Sequence, residues 1–411
     1  MKIGVISDMH LGHRQYGSLE RENDFYDQYI SCIQKMVKKG IDLLIISGDL
    51  FDKPNPSPKA MSVYRQGINL VEGIPVIATK GNHTMLMRDK HYSVDNYFDD
   101  SDLENYRLLD DDSFIDPEEN VVIQGMYYRS DSNLSDFIES QHLLAEDLDE
   151  EMFNILVVHQ AFKEYCGFTG AELSLFDLDL EKINLVICGH IHSHAIGVVE
   201  DTIFLQPGSL ERMNTTEALD GQENGKGFWI VDTKKESADF YPVDFQRDFL
   251  IGDIEFNSSE EIETHFELLK ETLPKMNEPP IISYNYYDTS GNIVRLRELI
   301  KDNTKNCLIN NSNVYDLSED AISVEIEEGE IPTVLDVINK QDLEDNQKQL
   351  VKDIHTAYKD GLDDSVGGII DTFFENNIKT EYKEDKSFEE LDKEIQEYKE
   401  YFDNLGGNMD V

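Results

Sequence analysis

The chain has 411 residues, enough for two or three domains with a sizeable core. Hydrophobic residues make up 39%, which excludes wholesale disorder. Lys and Arg number 36 against 84 Asp and Glu, a formal net charge of −48, and duplex DNA ordinarily repels so acidic a surface.

From residue 1 to 243 the chain alternates short apolar, β-branched runs with longer polar or amphipathic segments. Five of these runs, at 3–6, 43–46, 74–78, 155–158 and 185–188, read as strands buried on both faces, the α/β pattern. After Asp244 the texture changes. A strand is expected at 250–256, a helix at 259–273, a second strand at 281–287 behind Pro279-Pro280, a helix at 292–302, and further strands to 326. These make a small α+β unit over 244–335, and the highly charged remainder, 336–411, reads as helical. Within it Phe388, Leu391, Ile395, Tyr398, Phe402 and Leu405 form an a/d seam, with Ser387 and Glu390 as a capping box and Gly406 as the stop. A helix of about 18 residues is too short to be stable alone, so the seam must dock on something.

The acidity runs through the whole chain, with acid-rich stretches at 99–102, 110–112, 146–151 and 325–330. That suits a high-salt cytoplasm, where the Debye length falls to about 3 Å at 1 M. The four cysteines, Cys32, Cys166, Cys188 and Cys307, form no Cys-x-x-Cys pair, so neither a disulfide framework nor a structural zinc site is expected. The N-terminal apolar run is too short for a signal peptide and no run approaches the roughly 18 apolar residues of a membrane span, so a cytoplasmic protein without a membrane partner is expected.

Chemistry-bearing residues follow the five runs. The first ends in Asp8-Met9-His10, the second in Gly48-Asp49-Leu50-Phe51-Asp52, the third in Gly81-Asn82-His83. The fourth ends in His159 and the fifth in Gly189-His190-Ile191-His192. Ligand sites in open α/β sheets form just past the carboxyl ends of strands. Imidazoles, carboxylates and one amide without a thiolate suit Mn²⁺ or Fe²⁺, and Zn²⁺ less exclusively. There are too many donors for one ion. Two ions about 3.5–4 Å apart, bridged by a carboxylate, would use them and clamp both oxygens of a phosphate ester.

Asp-x-His, Gly-Asp-x-x-Asp, Gly-Asn-His, a lone His and Gly-His-x-His together resemble the pattern of the calcineurin-like metallophosphoesterases. Gly48-Asp49-Leu50-Phe51-Asp52 with the Pro-rich 54–58, His159-Gln160, Pro207-Gly208-Ser209-Leu210-Glu211-Arg212 and Lys226-Gly227-Phe228 are similar to the SbcD-type (Mre-eleven) DNA double-strand-break repair nucleases. The resemblance implies a two-sheet α/β sandwich flanked by helices, a small α+β capping, DNA-binding domain, and a helical tail that grips an SMC-like (SbcC-type) ATPase. It implies two Mn²⁺ ions per chain, with Fe²⁺, Mg²⁺ or Zn²⁺ as substitutes. Asp8, His10 and His192 would hold the first, Asn82, His159 and His190 the second, and Asp49 would bridge them.

His83 would be the general acid for the leaving 3′-oxygen or would orient the phosphate. Asp52 is expected to accept a hydrogen bond from His83 and fix its tautomer. The activity implied is exonuclease and endonuclease action on DNA ends, by a nucleoid-associated homodimer. A stand-alone phosphatase or cyclic-nucleotide phosphodiesterase on the same core is the alternative, and a non-catalytic scaffold a third reading. His13, His91, His142, His194, His265 and His355 read as surface or packing residues, with His13 and His194 nearest the motifs. No basic stripe marks a DNA path; Arg14, Arg129, Lys163 and Arg212 are the cations near the expected crevice.

Overall fold

The computed structural model describes residues 1–318 apart from 86–92, 100–102, 167–170 and 172. Its strands begin with β1 (Lys2–Ile6), β2 (Leu43–Ser47), β3 (Val76–Thr79), β4 (Tyr106–Leu108), β5 (Asp112–Asp116) and β6 (Val121–Gly125). They continue with β7 (Phe153–His159), β8 (Leu185–Gly189), β9 (Ala195–Val199), β10 (Thr202–Gln206), β11 (Gly227–Asp232) and β12 (Ser237–Pro242). Two six-stranded sheets result, ordered β12-β11-β1-β2-β3-β4 and β5-β6-β7-β8-β10-β9.

Alternation along each strand explains why the apolar runs are continuous. Ile3 and Val5, Leu43 and Ile45, Ile155 and Val157, and Leu185 and Ile187 meet in one cluster between the two sheets. Their neighbours Ile6, Leu44 and Ile46 join the outer cluster of the first sheet. Leu156, Val158, Val186 and Cys188 join the outer cluster of the second. The first outer face is covered by α1 (Leu19–Lys39) and α2 (Pro58–Leu70), through Tyr29, Ile33, Met36, Tyr64 and Ile68. Phe98 of α3 (Val94–Asp99) also packs there, and Phe137 of α4 (Leu134–Glu146) covers the second sheet. The two-sheet sandwich flanked by helices is therefore present.

Local signals set the helix ends. Ser18 accepts from Arg21 N–H to cap α1, Lys38 and Lys39 sit at its negative end, and Gly40 leaves it at φ 73°. Ser57 caps α2, which starts at Pro58. The third strand starts two residues later than its apolar run, because Ile74 N–H is spent on Val71 O in a turn ahead of Pro75.

Parallel pairing lines up the strand ends. Ile6 lies opposite Ile46, Ser47 opposite Thr79, and His159 opposite Gly189. Behind these ends, the Pro207-to-Arg212 segment is tied into α1 by buried charges. Arg21 donates to Asp24 Oδ2 (2.7 Å), Glu211 Oε1 (3.3 Å) and Arg212 O (2.9 Å). Arg212 Nε donates to Glu211 Oε1 (3.0 Å), and its guanidinium lies 3.5 Å from the Phe245 ring centroid. Arg247 Nε completes the set on Asp24 Oδ2 (2.8 Å).

After α5 (Thr215–Glu223) and β12 come β13 (Phe249–Phe256), α6 (Ser259–Thr272), β14 (Ile281–Asp288), α7 (Ile293–Asn303), β15 (Ile309–Asn310) and β16 (Asn313–Asp316). These strands form a sheet ordered β13-β14-β15, with β16 on β14. Two compact units share the described chain: one of 1–254, 262–285 and 297–311, the other of 255–261, 286–296 and 312–318. The expected strands beyond 318, the boundary at 335 and the tail helices lie outside the described residues. No helix among the described residues is long and apolar enough to cross a membrane.

Candidate metal centre

The loops that leave these strands are bent tightly enough to aim successive side chains at one place. Asp8, His10, Asp49 and His190 all have positive φ, at 49°, 44°, 47° and 90°. For non-glycine residues such backbone costs about 1–3 kcal/mol each and persists where the surroundings impose it. Two glycines make room. A Cβ on Gly48, itself at φ 93°, would fall on the His159 imidazole, and one on Gly81 would fall on the Asp49 carboxylate.

Three overlapping donor groups result. Asp8, His10 and His192 form one, Asp49, His159 and His190 a second, and His10, Asp49 and His83 a third that overlaps both, each with its ligand atoms within 4.8 Å of one another. Asn82 joins the second, its Oδ1 standing 3.2 Å from His159 Nε2 and 3.0 Å from His190 Nδ1. Asp49 Oδ2 stands between the groups, 3.2 Å from His159 Nε2 and 3.9 Å from His10 Nε2. The other oxygen, Oδ1, is fixed by the His83 N–H at 3.0 Å.

The hydrogen bonds around the imidazoles test whether cations belong here. His159 Nδ1–H donates to Ser47 O at 2.8 Å, which leaves the Nε2 lone pair facing Asp49 Oδ2 and the Asn82 side-chain oxygen. A lone pair against two acceptors is repulsive unless a proton or a cation lies between. His192 Nδ1–H donates to Glu217 Oε1 at 2.9 Å, and its Nε2 faces His10 Nε2 at 3.1 Å. Nitrogen lone pairs and carboxylate oxygens thus converge, and at His159 and His192 the outer ring nitrogen is already spent on a hydrogen bond, as is usual for metal-ligating histidines. The donor set fits two divalent cations.

Charge behaviour follows from the same crowding. Burial holds the His10 imidazole well below its usual range. Burial and the neighbouring His159 bring His190 down to about 3. Burial also opposes charge on His159, but the Asp49 carboxylate outweighs it and pushes the imidazole up to about 9. The Asp49 carboxyl, despite its burial, is held far below the carboxylate range by His159 and His10.

A calcineurin-like phosphoesterase profile matches residues 1–194, the span that contains every one of these donors. Residues 1–194 are a calcineurin-like phosphoesterase domain. The DNA double-strand break repair protein Mre11 of Methanocaldococcus jannaschii is 29% identical over 242 residues, 58% of this chain and 64% of the relative. This chain thus spans just under two thirds of that protein. The Mre11 of Sulfolobus acidocaldarius is 26% identical over 386 residues, 86% of this chain and 98% of the relative. A solved structure described as a novel archaeal phosphodiesterase aligns with 59% of this chain and 100% of its own, at 19% identity and a TM-score of 0.32.

His83 shares one of the phosphoesterase domain's donor groups with His10 and Asp49, its ring centroid 4.6 Å from that of His10. The expected hydrogen bond from His83 to the Asp52 side chain is not formed. His83 Nδ1–H donates to the Asp52 main-chain oxygen at 2.9 Å, and the Asp52 carboxylate takes His13 Nδ1 at 2.7 Å. The reason is local. Leu11 N–H bonds to Leu50 O and Asp52 N–H to Leu11 O, and this zips the two loops together with His13 over Asp52.

His13, expected as a surface or packing residue near the motifs, is thus part of the site's frame, as are Glu217 and the Ser47 carbonyl, which the sequence did not mark. Asn214 and Glu217, three apart, carry a helix-start signal that places Glu217 in a first turn but not beside His192. His194 stacks on Phe240 and its Nε2–H donates to Asn224 O, and His142 reaches Asp177 O. His91 and His355 lie outside the described residues. Of the candidate cations, Arg212 is buried in the charge cluster and Arg129 is buried against Asp111. Arg14 is half exposed and paired with Glu22, and Lys163 is exposed.

Proposed function

We propose that this chain is a Mn²⁺-dependent DNA nuclease, exonuclease and endonuclease, that processes broken ends in repair. It would act as a homodimer with an SMC-like, SbcC-type ATPase, in a high-salt cytoplasm. The observation that carries the phosphodiester chemistry is Asp49 Oδ2 standing between His10 and His159, one carboxylate oxygen shared by two donor groups. DNA as substrate is supported by the Mre11 relatives, which are named for double-strand break repair. Manganese is supported by a nitrogen and oxygen donor set without thiolate.

Asp8, His10 and His192 would hold one ion, Asn82, His159 and His190 the other, and Asp49 both. Such ions supply Lewis acidity to a phosphate oxygen and lower the pKa of a water. The chain's own contribution to bond breaking is His83. With Nδ1–H fixed on the Asp52 carbonyl, its Nε2 is the atom left for substrate. As a hydroxide derived from water bonds to phosphorus and the P–O bond to the leaving oxygen breaks, the imidazolium gives its Nε2 proton to that oxygen and returns to the Nδ1–H tautomer that the carbonyl holds.

Cleavage of end-labelled duplex and single-stranded DNA, in high KCl with added Mn²⁺, tests the reading by comparing wild type with His83→Gln. DNA degradation that depends on Mn²⁺ and is lost in the variant, at unchanged metal content, is the expected result. Hydrolysis of small phosphoesters with DNA left intact would replace it with a stand-alone phosphatase or phosphodiesterase.

A further inference from the structure

The outer partners of the proposed ligand imidazoles differ in kind. Behind His159 stands a neutral main-chain oxygen, that of Ser47. His10 Nδ1 is buried with no hydrogen-bond partner. Behind His192 alone of these three stands a carboxylate, Glu217 Oε1 at 2.9 Å.

Glu217 is itself held in place. Its Oε1 also accepts from Asn214 Nδ2 (3.0 Å), its Oε2 accepts from Met213 N–H (3.0 Å), and its own N–H donates to Asn214 Oδ1 (2.8 Å). The side chain is 15% exposed, so solvent screens its charge less than that of a surface acid. Lys226, almost fully buried, lies 3.9 Å from Glu217 Oε2 and donates to His192 O at 2.8 Å, and Ser209 N–H donates to the same oxygen at 2.9 Å. His192 is therefore pinned at its main chain by Lys226 and Ser209 and at its ring by Glu217. A carboxylate that only capped α5 would give its oxygens to the chain around the helix start, whereas here one is shared with the imidazole.

We propose that Glu217 is a positioning residue that fixes the Nδ1–H tautomer and ring angle of His192. It thereby raises the divalent-cation affinity of the Asp8, His10 and His192 position independently of the Asn82, His159 and His190 position. The inference rests on the metal-centre reading above. The carboxylate makes Nε2 a stronger donor, and outer partners of this kind are typically worth about 10–100-fold in metal affinity.

The test is a Mn²⁺ titration of the full chain, followed by electron paramagnetic resonance of free Mn²⁺, on wild type, Glu217→Gln and Glu217→Ala. Thermal melting is measured alongside. Expected are two binding steps in wild type and, in Glu217→Ala, one step weakened about 10–100-fold with the other unchanged. Glu217→Gln keeps an acceptor oxygen without the charge and falls between. Two unchanged steps in both variants overturn the proposal, and so does equal weakening of both steps, the mark of a loosened α5. A wild-type chain that binds no Mn²⁺ removes the metal-centre reading, and this inference with it.

Discussion

His83 Nδ1–H is held by the main-chain oxygen of Asp52 at 2.9 Å, while the Asp52 side chain is turned away to His13. The imidazole that shares a donor group with His10 and Asp49 but is assigned to neither proposed ion is therefore oriented by backbone. Asp52→Asn leaves that carbonyl in place, and its amide oxygen still accepts from His13. Steady-state DNA cleavage should fall less than about tenfold in Asp52→Asn, with an unchanged pH–rate profile, against a loss of about 10²–10⁴-fold in His83→Gln. A loss in Asp52→Asn as large as that in His83→Gln would show that the carboxylate, and not the carbonyl, does the orienting.

Gly81 admits no side chain, because a Cβ there would meet both the carboxylate and the backbone nitrogen of Asp49. Gly81→Ala must displace the residue that stands between the two donor groups. Metal analysis should find fewer ions per chain than in wild type while circular dichroism keeps the wild-type secondary structure. Full metal content in this variant would mean that Asp49 is not needed to hold them.

Metal removal should be visible as stability. A ligand that binds only the folded chain, at 100 times its Kd, adds about 2.7 kcal/mol. EDTA should therefore lower the melting temperature by several degrees and excess Mn²⁺ restore it, by differential scanning fluorimetry. Identical melting with and without EDTA, in protein shown to be loaded at the start, would contradict cations at these buried donors.

The buried charge cluster sets an acid limit. Burial opposes charge on Glu211, but Arg212 and Arg21 outweigh it and hold its carboxyl below the usual value of 4.5. A carboxyl lowered on folding contributes stability that is fully present above its unfolded pKa and is lost as pH falls through the folded one. Urea melts should show wild-type stability declining below about pH 4.5. Glu211→Gln leaves Arg21 and Arg212 short of a buried counter-charge, at a cost of about 3–5 kcal/mol near neutrality. The gap between the two proteins should narrow on acidification; a gap that stays constant from pH 7 to 4 would rule out Glu211 as the titrating group.

Every proposed metal donor lies within a few residues of the end of an apolar run, and that made the set legible in the chain. No polar residue interrupts any of the five apolar runs, so Asp8, Asp49, Asn82, His159 and His190 announce themselves by position just past them. The caps at Ser18 and Ser57 rest on local contacts too, each hydroxyl accepting from an N–H three residues on, although they were not among the sequence expectations.

Other features depended on partners distant in sequence. Alternation says which residues share a face, not which face meets which, so the division of β1, β2 and β3 from β7 and β8 into separate sheets came only with packing. The outer supports followed from that division. Ser47 reaches His159 across 112 positions of sequence, and Asp52 meets His13 across 39. Arg212, a candidate phosphate contact by its place near the motifs, is enclosed by Glu211, Phe245 and Phe249. Residue type and strand period are local properties and determined which side chains could bind metal. Hydrogen-bond partners far apart in sequence are selected by how two sheets and their helices close on each other, and only the folded chain decides them.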